Sequence, residues 1–260
     1  MTQDPTVVSS AEPRAARSPM HRAAAHARWE TRLLLRNGEQ LLLTFAIPIG
    51  LLLALSLTSM FTIATGDQRV PNALATVLTV SVISSAFASL AIATGFERRS
   101  GALRFLGTTP LSRSELLGGK FGATALVTVL SCAAAIVVAV LLGWRPAGAA
   151  AWAVPIVVLG TAAFAAWGMT LAGLLRAEAV LAVANGLFLI LIMFGGVIIP
   201  PASLPGPLGA VAPWLPSGAL ADALRACLVD QQAPAPMTFV VLAGWLAVGT
   251  AVARRTFRWS

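Results

Sequence analysis

The 260-residue chain has little charge and a single lysine. Charged residues make up 11% of it, against roughly 25% in soluble domains, and apolar residues make up 57%. A soluble domain of this length cannot bury so much apolar surface, so the composition indicates an integral membrane protein. The net charge of +8 does not point to nucleic acid, because the basic residues lie in short segments beside apolar runs, as they do in oriented membrane proteins.

Cysteine is also scarce. Cys132 and Cys227 are the only two, and we expect free thiols that fill apolar space rather than a disulfide framework. We expect no cleavable signal peptide, because the first apolar run follows a long polar tail and is long enough to span a membrane.

Six apolar runs have the length of membrane spans. They cover residues 41–63, 73–96, 121–143, 151–175, 180–200 and 237–253. None contains Asp, Glu, Lys, Arg or His, which argues against proton relays, ion sites and voltage sensors. The two histidines, His21 and His26, lie in the N-terminal tail, so haem ligation within the membrane is not expected.

A site for ATP hydrolysis is missing as well. A phosphate-binding loop needs Gly-x-x-x-x-Gly-Lys-Ser/Thr, but Lys120 is followed by Phe121, and Ser114 stands at the first glycine position. We therefore expect no cofactor in this chain and no enzyme activity of its own. If it moves a compound uphill, the energy must come from another chain.

The spans predict an all-α polytopic membrane protein with both termini on one side. Fifteen of the eighteen Lys and Arg residues fall on that side, and only Arg69, Arg145 and Arg225 fall on the other. Basic residues favour the cytoplasmic side, so we expect cytoplasmic termini in a bacterial cell membrane. Residues 1–20 are predicted to be a disordered tail and residues 21–260 a single transmembrane domain.

The tail ends in a predicted interfacial helix over 21–40. Basic side chains recur every fourth residue on one face, and apolar ones lie on another, which is typical of a helix in the headgroup layer. The residues concerned are Arg28, Trp29, Arg32, Leu33 and Arg36.

Hydroxyl side chains form stripes on the second and third spans. The members are Ser81, Ser85 and Ser89, then Thr124, Thr128 and Ser131, while Asn185 is the most polar group of the fifth span. Two readings stay open for them: helix packing through small polar residues, or the lining of a mildly polar pathway. Gly118 and Gly122 are predicted to allow close helix packing.

The segment 97–120 between the second and third spans is amphipathic. We expect a helix over 97–106 with Leu103, Phe105 and Leu106 available for contact, and a break at 107–110. Ser112 and Glu115 then form a capping box that opens the next helix. Its docking surface, a partner protein or the lipid, stays open on physical grounds.

The segment 201–236 on the other side is punctuated by prolines. Its apolar pieces, 208–214 and 217–228, are too short to span. They predict a re-entrant or interfacial helical hairpin dipping into the outer leaflet, in which Asp222 and Arg225 can pair.

Two stretches resemble a known family. Residues 97–104 (ERRSGALR) with 109–113 (TPLSR) resemble the cytoplasmic loop of ABC-2 type exporter permeases, the daunorubicin-resistance and polysaccharide exporter-like family. Residues 196–200 (GVIIP) through 221–225 (ADALR) resemble the outer segment of the same family. The resemblance covers nearly the whole chain from about residue 22.

The resemblance implies the permease half of an ATP-binding cassette (ABC) exporter. Two permeases, identical or related, would pair with two ATPase subunits, and ATP and magnesium would bind to those subunits. A coupling helix would follow the second span and insert into the ATPase, a role that falls on Glu97, Arg98, Arg99, Gly101, Leu103, Arg104, Phe105 and Leu106. The cargo would be an amphipathic or lipid-like compound such as a drug, antibiotic, glycolipid or polyketide.

Two other functional classes of membrane protein fit the sequence less well. A small membrane enzyme or assembly factor would need clustered carboxylates or histidine at one face, and the inner loop offers only Glu97 and Glu115, apart from each other. An energy-independent facilitator fits the charge-free spans but leaves the ordered segment 97–120 unexplained.

Overall fold

The computed structural model describes residues 19–36, 38–58, 66–108 and 112–256, and within these ranges all regular structure is helical. Most of the predicted disordered tail (1–18), the end of the first predicted span and residues 109 and 110 of the predicted break lie outside the described residues.

Eleven α-helices are described along these ranges. They are α1 (Pro19–Arg36), α2 (Gly38–Leu57), α3 (Arg69–Val82), α4 (Leu90–Arg99), α5 (Ala102–Gly107), α6 (Arg113–Leu141), α7 (Ala153–Leu174), α8 (Ala177–Phe194), α9 (Leu208–Val211), α10 (Pro216–Leu228) and α11 (Pro236–Thr256). A π-helical segment, Ile83–Ser89, joins α3 to α4, and short 3-10 turns precede α3, α7 and α9.

Five described helices are long and apolar enough to cross a membrane. They are Gly66–Arg99, Ser114–Leu141, Gly148–Leu174, Ala177–Phe194 and Pro236–Thr256, and they match the second to sixth predicted spans. The first predicted span corresponds to α2, whose apolar part Thr44–Leu57 is shorter than the others. The count of six spans therefore stays a prediction.

The second span is the central helix of the bundle, and it is longer than the predicted 73–96. It runs unbroken from Gly66 to Arg99, with the π-helical segment in its middle. That segment packs closely on α7, since a Cβ added at Gly168 would lie 2.9 Å from the Phe87 carbonyl oxygen. Wide π turns are uncommon and often mark functional sites, so the position of this one bears on the site described below.

The two ends of the bundle differ in charge. At one end, which we call the basic end, side chains of α1, α4 and the start of α6 meet one another and the junction of α7 with α8. The opposite end carries α9 and α10.

Helix α10 is buried among α3, α7 and α11. Its leucines Leu220, Leu224 and Leu228 are almost fully covered by protein. Protein rather than lipid covers these side chains of α10, and the predicted dip of the segment into the outer leaflet stays a prediction.

The predicted pairing on α10 is confirmed. Arg225 lies 3.0 Å from Asp222 and also donates 2.7 Å to the carbonyl of Gly196. Burial raises the pKa of Asp222, although the neighbouring guanidinium opposes the change. Arg225 thus ties α10 to the end of α8.

Candidate functional site

The two hydroxyl stripes face each other across one cavity. It has a volume of about 500 Å³ and lies between α2, the second span and α6. Its polar lining consists of Thr44, Ser81, Ser84, Ser85, Ser89, Thr128 and Ser131, and its apolar lining includes Ile47, Leu51, Val77 and Val80. A cavity with this lining suits a mainly apolar molecule that carries a few hydrogen-bonding groups.

Pro48 explains one of the hydroxyl contacts. A proline has no amide hydrogen, so the carbonyl four residues earlier, that of Thr44, lacks its helical donor. Ser131 of α6 donates to this oxygen at 2.7 Å. The hydroxyl therefore completes the backbone of α2 from a neighbouring helix, as buried backbone in a membrane requires.

The other hydroxyls have different environments. Ser85 in the π-helical segment lies 2.7 Å from the Thr128 hydroxyl of α6 and also donates to the Ser81 carbonyl. The Ser81 hydroxyl is buried and has no hydrogen-bond partner among the described residues, although it lines the cavity. Ser85, Thr128 and Ser131 thus form hydrogen bonds between helices, whereas Ser81 is left with an unused donor at the cavity wall.

The remaining predicted polar residues separate in space. Ser89 lines the main cavity and, with Thr124, a smaller space of about 70 Å³ beside it. Asn185 lies on an exposed face of α8, away from both, and has no hydrogen bond within the described part of the chain.

A buried group of charges lines the smaller space at the basic end. The ammonium of Lys120, whose side chain is 3% exposed, donates to Glu30 at 2.8 Å and to Glu97 at 2.9 Å. The prediction that the carboxylates do not cluster is wrong, because Glu30 of α1 and Glu97 of α4 meet at one lysine. A lone buried charge is costly, so the three groups depend on one another.

The same contact fixes α1 on α6. The His26 ring packs against Gly119, where an added Cβ would lie 2.3 Å from its Cδ2 atom. Burial lowers the pKa of His26, although Glu30 opposes the change. Gly119 is thus the residue that allows α1 to approach α6 closely. Gly118 contributes less to this than predicted, because an added Cβ there would meet nothing within 4 Å.

Sequence reasoning missed this group because its members are far apart in the chain. Two signals were present. Lys120 is the only lysine, and His26 and Glu30 stand four residues apart on a face of α1 distinct from the arginines.

Three consecutive residues at the end of α4 bind three other helices directly and a fourth through Lys120. Glu97 binds Lys120 of α6, which also holds Glu30 of α1. Arg98 donates to the carbonyls of Gly173, at 3.0 Å, and Leu175 at the end of α7. A guanidinium there satisfies terminal carbonyls and complements the helix dipole.

Arg99 forms an ion pair with Glu178 in the first turn of α8. Both side chains are more than half exposed, so this pair contributes little stability by itself. The end of α4 is nevertheless linked to α1, α6, α7 and α8 within one turn.

The predicted continuous helix over 97–106 is wrong. Helix α4 ends at Arg99, and Gly101, with a φ of 80°, makes the turn into α5. A positive φ is energetically unfavourable for a residue that carries a side chain, so glycine suits the position.

The side chains of α5 point in different directions. Leu103 is 1% exposed and packs in the core, so it is not available to a partner as predicted. Phe105 is 73% exposed. The side chains of Arg104 and Leu106 lie outside the described part of the structure.

The predicted capping box is confirmed at the start of α6. The Ser112 hydroxyl accepts from the Glu115 amide, and the Glu115 carboxylate accepts from the Ser112 amide at 2.9 Å. This closed contact sets where α6 begins after the segment that carries α5.

The predicted interfacial residues lie on the exposed side of α1. Trp29 is 59% exposed and Leu33 50%, and Arg28, Arg32 and Arg36 are exposed as well. The placement of this face in the headgroup layer stays a prediction.

Comparison with known proteins identifies the family of this chain. No curated protein matches the sequence. The family described as ABC-2 family transporter protein matches residues 54–253, from the end of α2 to the end of α11. The match includes most of the cavity lining, the end of α4, α5 and the buried lysine, and the chain therefore belongs to the ABC-2 family of transporter proteins.

Proposed function

We propose that this chain is the permease of an ABC exporter driven by a separate ATPase subunit that docks on α5. Membership of the transporter family and the apolar helices support a multi-pass transport subunit. The observation that carries the finer proposal is the linkage at the end of α4, where three neighbouring side chains hold four helices.

The linkage gives a docked partner mechanical access to the bundle. Leu103 is buried, so α5 is anchored to the body of the permease, while Phe105 projects from it. Displacement of α5 would act through Gly101 on the end of α4 and from there on α6, α7 and α8. Because α4 continues through the π-helical segment, the same displacement would reach the wall of the cavity.

The cavity is the proposed cargo pathway. Its lining combines apolar side chains with hydroxyls, and the unused Ser81 donor could bind an acceptor group of the cargo. This favours an amphipathic or lipid-like compound as the cargo. Outward movement, and an assembly of two permeases with two ATPase subunits, are proposed from the resemblance to ABC-2 exporters. The basic end would face the cytoplasm of a bacterial cell.

Co-purification tests the docking. Phe105→Asp should lower recovery of the co-expressed ATPase about tenfold or more, since aromatic side chains dominate many protein interfaces. The variant should still enter the membrane and unfold at the wild-type temperature, because Phe105 contributes little to the core.

The matched control is Ala179→Asp. Ala179 is exposed in the first turn of α8 at the same end of the bundle, so the variant adds the same charge elsewhere. Recovery of the ATPase with Ala179→Asp should stay at the wild-type level. Undiminished recovery with Phe105→Asp would contradict the docking assignment.

A further inference from the structure

An apolar groove lies at the basic end, on a different side of the bundle from the cargo cavity. It has a volume of about 350 Å³ and lies between α4, α6, α7 and α11. Its lining shares no residue with the cavity between α2 and α6. It is therefore a separate candidate site.

Small residues on three helices create the groove. Gly118 on α6, Ala162 and Ala166 on α7 and Ala253 on α11 all line it, so the helices leave space where larger side chains would meet. Leu117, Phe121 and Leu246 complete an almost wholly apolar wall. Such a wall fits a hydrocarbon chain.

One cation stands at the mouth of the groove. Arg254 is exposed, and its side chain has no hydrogen bond or ion pair within the described residues. From Arg254 to Leu246 the groove follows α11 for eight residues, or about 12 Å at 1.5 Å per residue. That is close to half of a hydrocarbon core of about 30 Å, the depth of one leaflet.

We propose that this groove binds one anionic phospholipid, with its headgroup phosphate at Arg254 and an acyl chain along α6, α7 and α11. Basic pockets between membrane helices recognise anionic headgroups in this way. The unpaired charge selects an anion, and the depth and apolar wall select a molecule with a long chain. Free phosphate would satisfy only the first of these.

Native mass spectrometry of the purified full-length permease tests the proposal. The protein is equilibrated with mixed micelles that contain equal amounts of phosphatidylglycerol and phosphatidylcholine. We expect the wild type to retain one lipid, with about fivefold preference for phosphatidylglycerol, which is the effect of one basic residue near a headgroup.

Two pairs of variants locate the site. Arg254→Gln should keep a bound lipid but lose the preference, whereas Arg255→Gln, an exposed neighbour that does not line the groove, should keep it. Gly118→Leu should fill the groove and lose the lipid, whereas Gly186→Leu, on α8 outside the groove, should retain it. An added Cβ meets nothing within 4 Å at either glycine, so both variants should fold.

Three results would overturn the proposal. Equal loss of preference in Arg254→Gln and Arg255→Gln would indicate a diffuse surface charge. Lipid retention by Gly118→Leu would place the lipid elsewhere. A change in oligomeric mass in Gly118→Leu with the bound lipid unaltered would show that a protein covers the groove.

Discussion

The hydrogen bond from Ser131 to the Thr44 carbonyl, beside Pro48, yields the sharpest prediction on the architecture. Ser131→Ala removes the hydrogen bond of 2.7 Å to the Thr44 carbonyl, which Pro48 has deprived of its usual helical donor. In the Pro48→Ala variant, the amide of residue 48 can donate to that carbonyl instead. The serine should therefore matter only when proline is present.

The magnitude follows from measured hydrogen bonds in membranes. Such bonds contribute about 0.6 kcal/mol on average and up to about 1.7 kcal/mol, and this one compensates a backbone group that has lost its helical donor, so we expect about 1.5 kcal/mol. In the Pro48→Ala background the loss should fall below about 0.5 kcal/mol. The coupling between the two positions is then about 1 kcal/mol.

Thermal unfolding of the four proteins of this double-mutant cycle, followed by tryptophan fluorescence in mild detergent, measures the coupling. At about 2–4 °C per kcal/mol, Ser131→Ala should lower the midpoint by about 3–6 °C in the wild type and by about 2 °C or less beside Pro48→Ala. An equal decrease of the thermal midpoint in both backgrounds would show that Ser131 does not compensate for Pro48. Water in the cavity would then satisfy the Thr44 carbonyl.

Two further predictions concern the basic end. Gly119→Ala should displace α1 from α6, since the new Cβ would overlap the His26 ring, and should increase proteolysis within α1, whereas Gly118→Ala, which meets nothing, should leave the cleavage rate unchanged. Lys120→Met should destabilise the protein by about 3 kcal/mol, because it leaves the buried carboxylates of Glu30 and Glu97 without their shared lysine, and adding Glu30→Gln with Glu97→Gln should recover most of the lost thermal midpoint. A triple variant no more stable than Lys120→Met would contradict this prediction, because the loss of stability would then not come from the two buried carboxylates.

Local rules predicted the local features well. The Ser112 and Glu115 capping box and the Asp222 and Arg225 pair are set by spacings of three residues, which the sequence displays directly. The long apolar helices follow from hydropathy alone. The hydroxyl stripes were visible as a repeat of four residues, and their shared cavity is consistent with that pattern.

Features that depend on distant residues could not be predicted in the same way. Glu30 and Lys120 are 90 residues apart, and Ser131 and Thr44 are 87 apart, so only the packing of helices brings them together. Burial of Leu103 and of α10 was missed for a related reason. An apolar side chain in a membrane protein suits lipid, a partner or the core equally well until its neighbours are known.

The central claim is that an ATPase subunit docks on α5 and acts on the bundle through the end of α4. Cross-linking from Phe105→Cys tests it most directly, and the chain suits the method because its native cysteines, Cys132 and Cys227, are both buried and unpaired. A thiol-reactive photo-cross-linker should therefore label the new site almost alone.

The measurement is the yield of permease–ATPase adduct in membranes that contain both subunits. Docking on α5 should give a strong adduct from Phe105→Cys and none from Trp214→Cys, because Trp214 is exposed at the opposite end of the bundle. An ATPase adduct that forms equally from both positions, or from neither while the subunits co-purify, would contradict docking on α5.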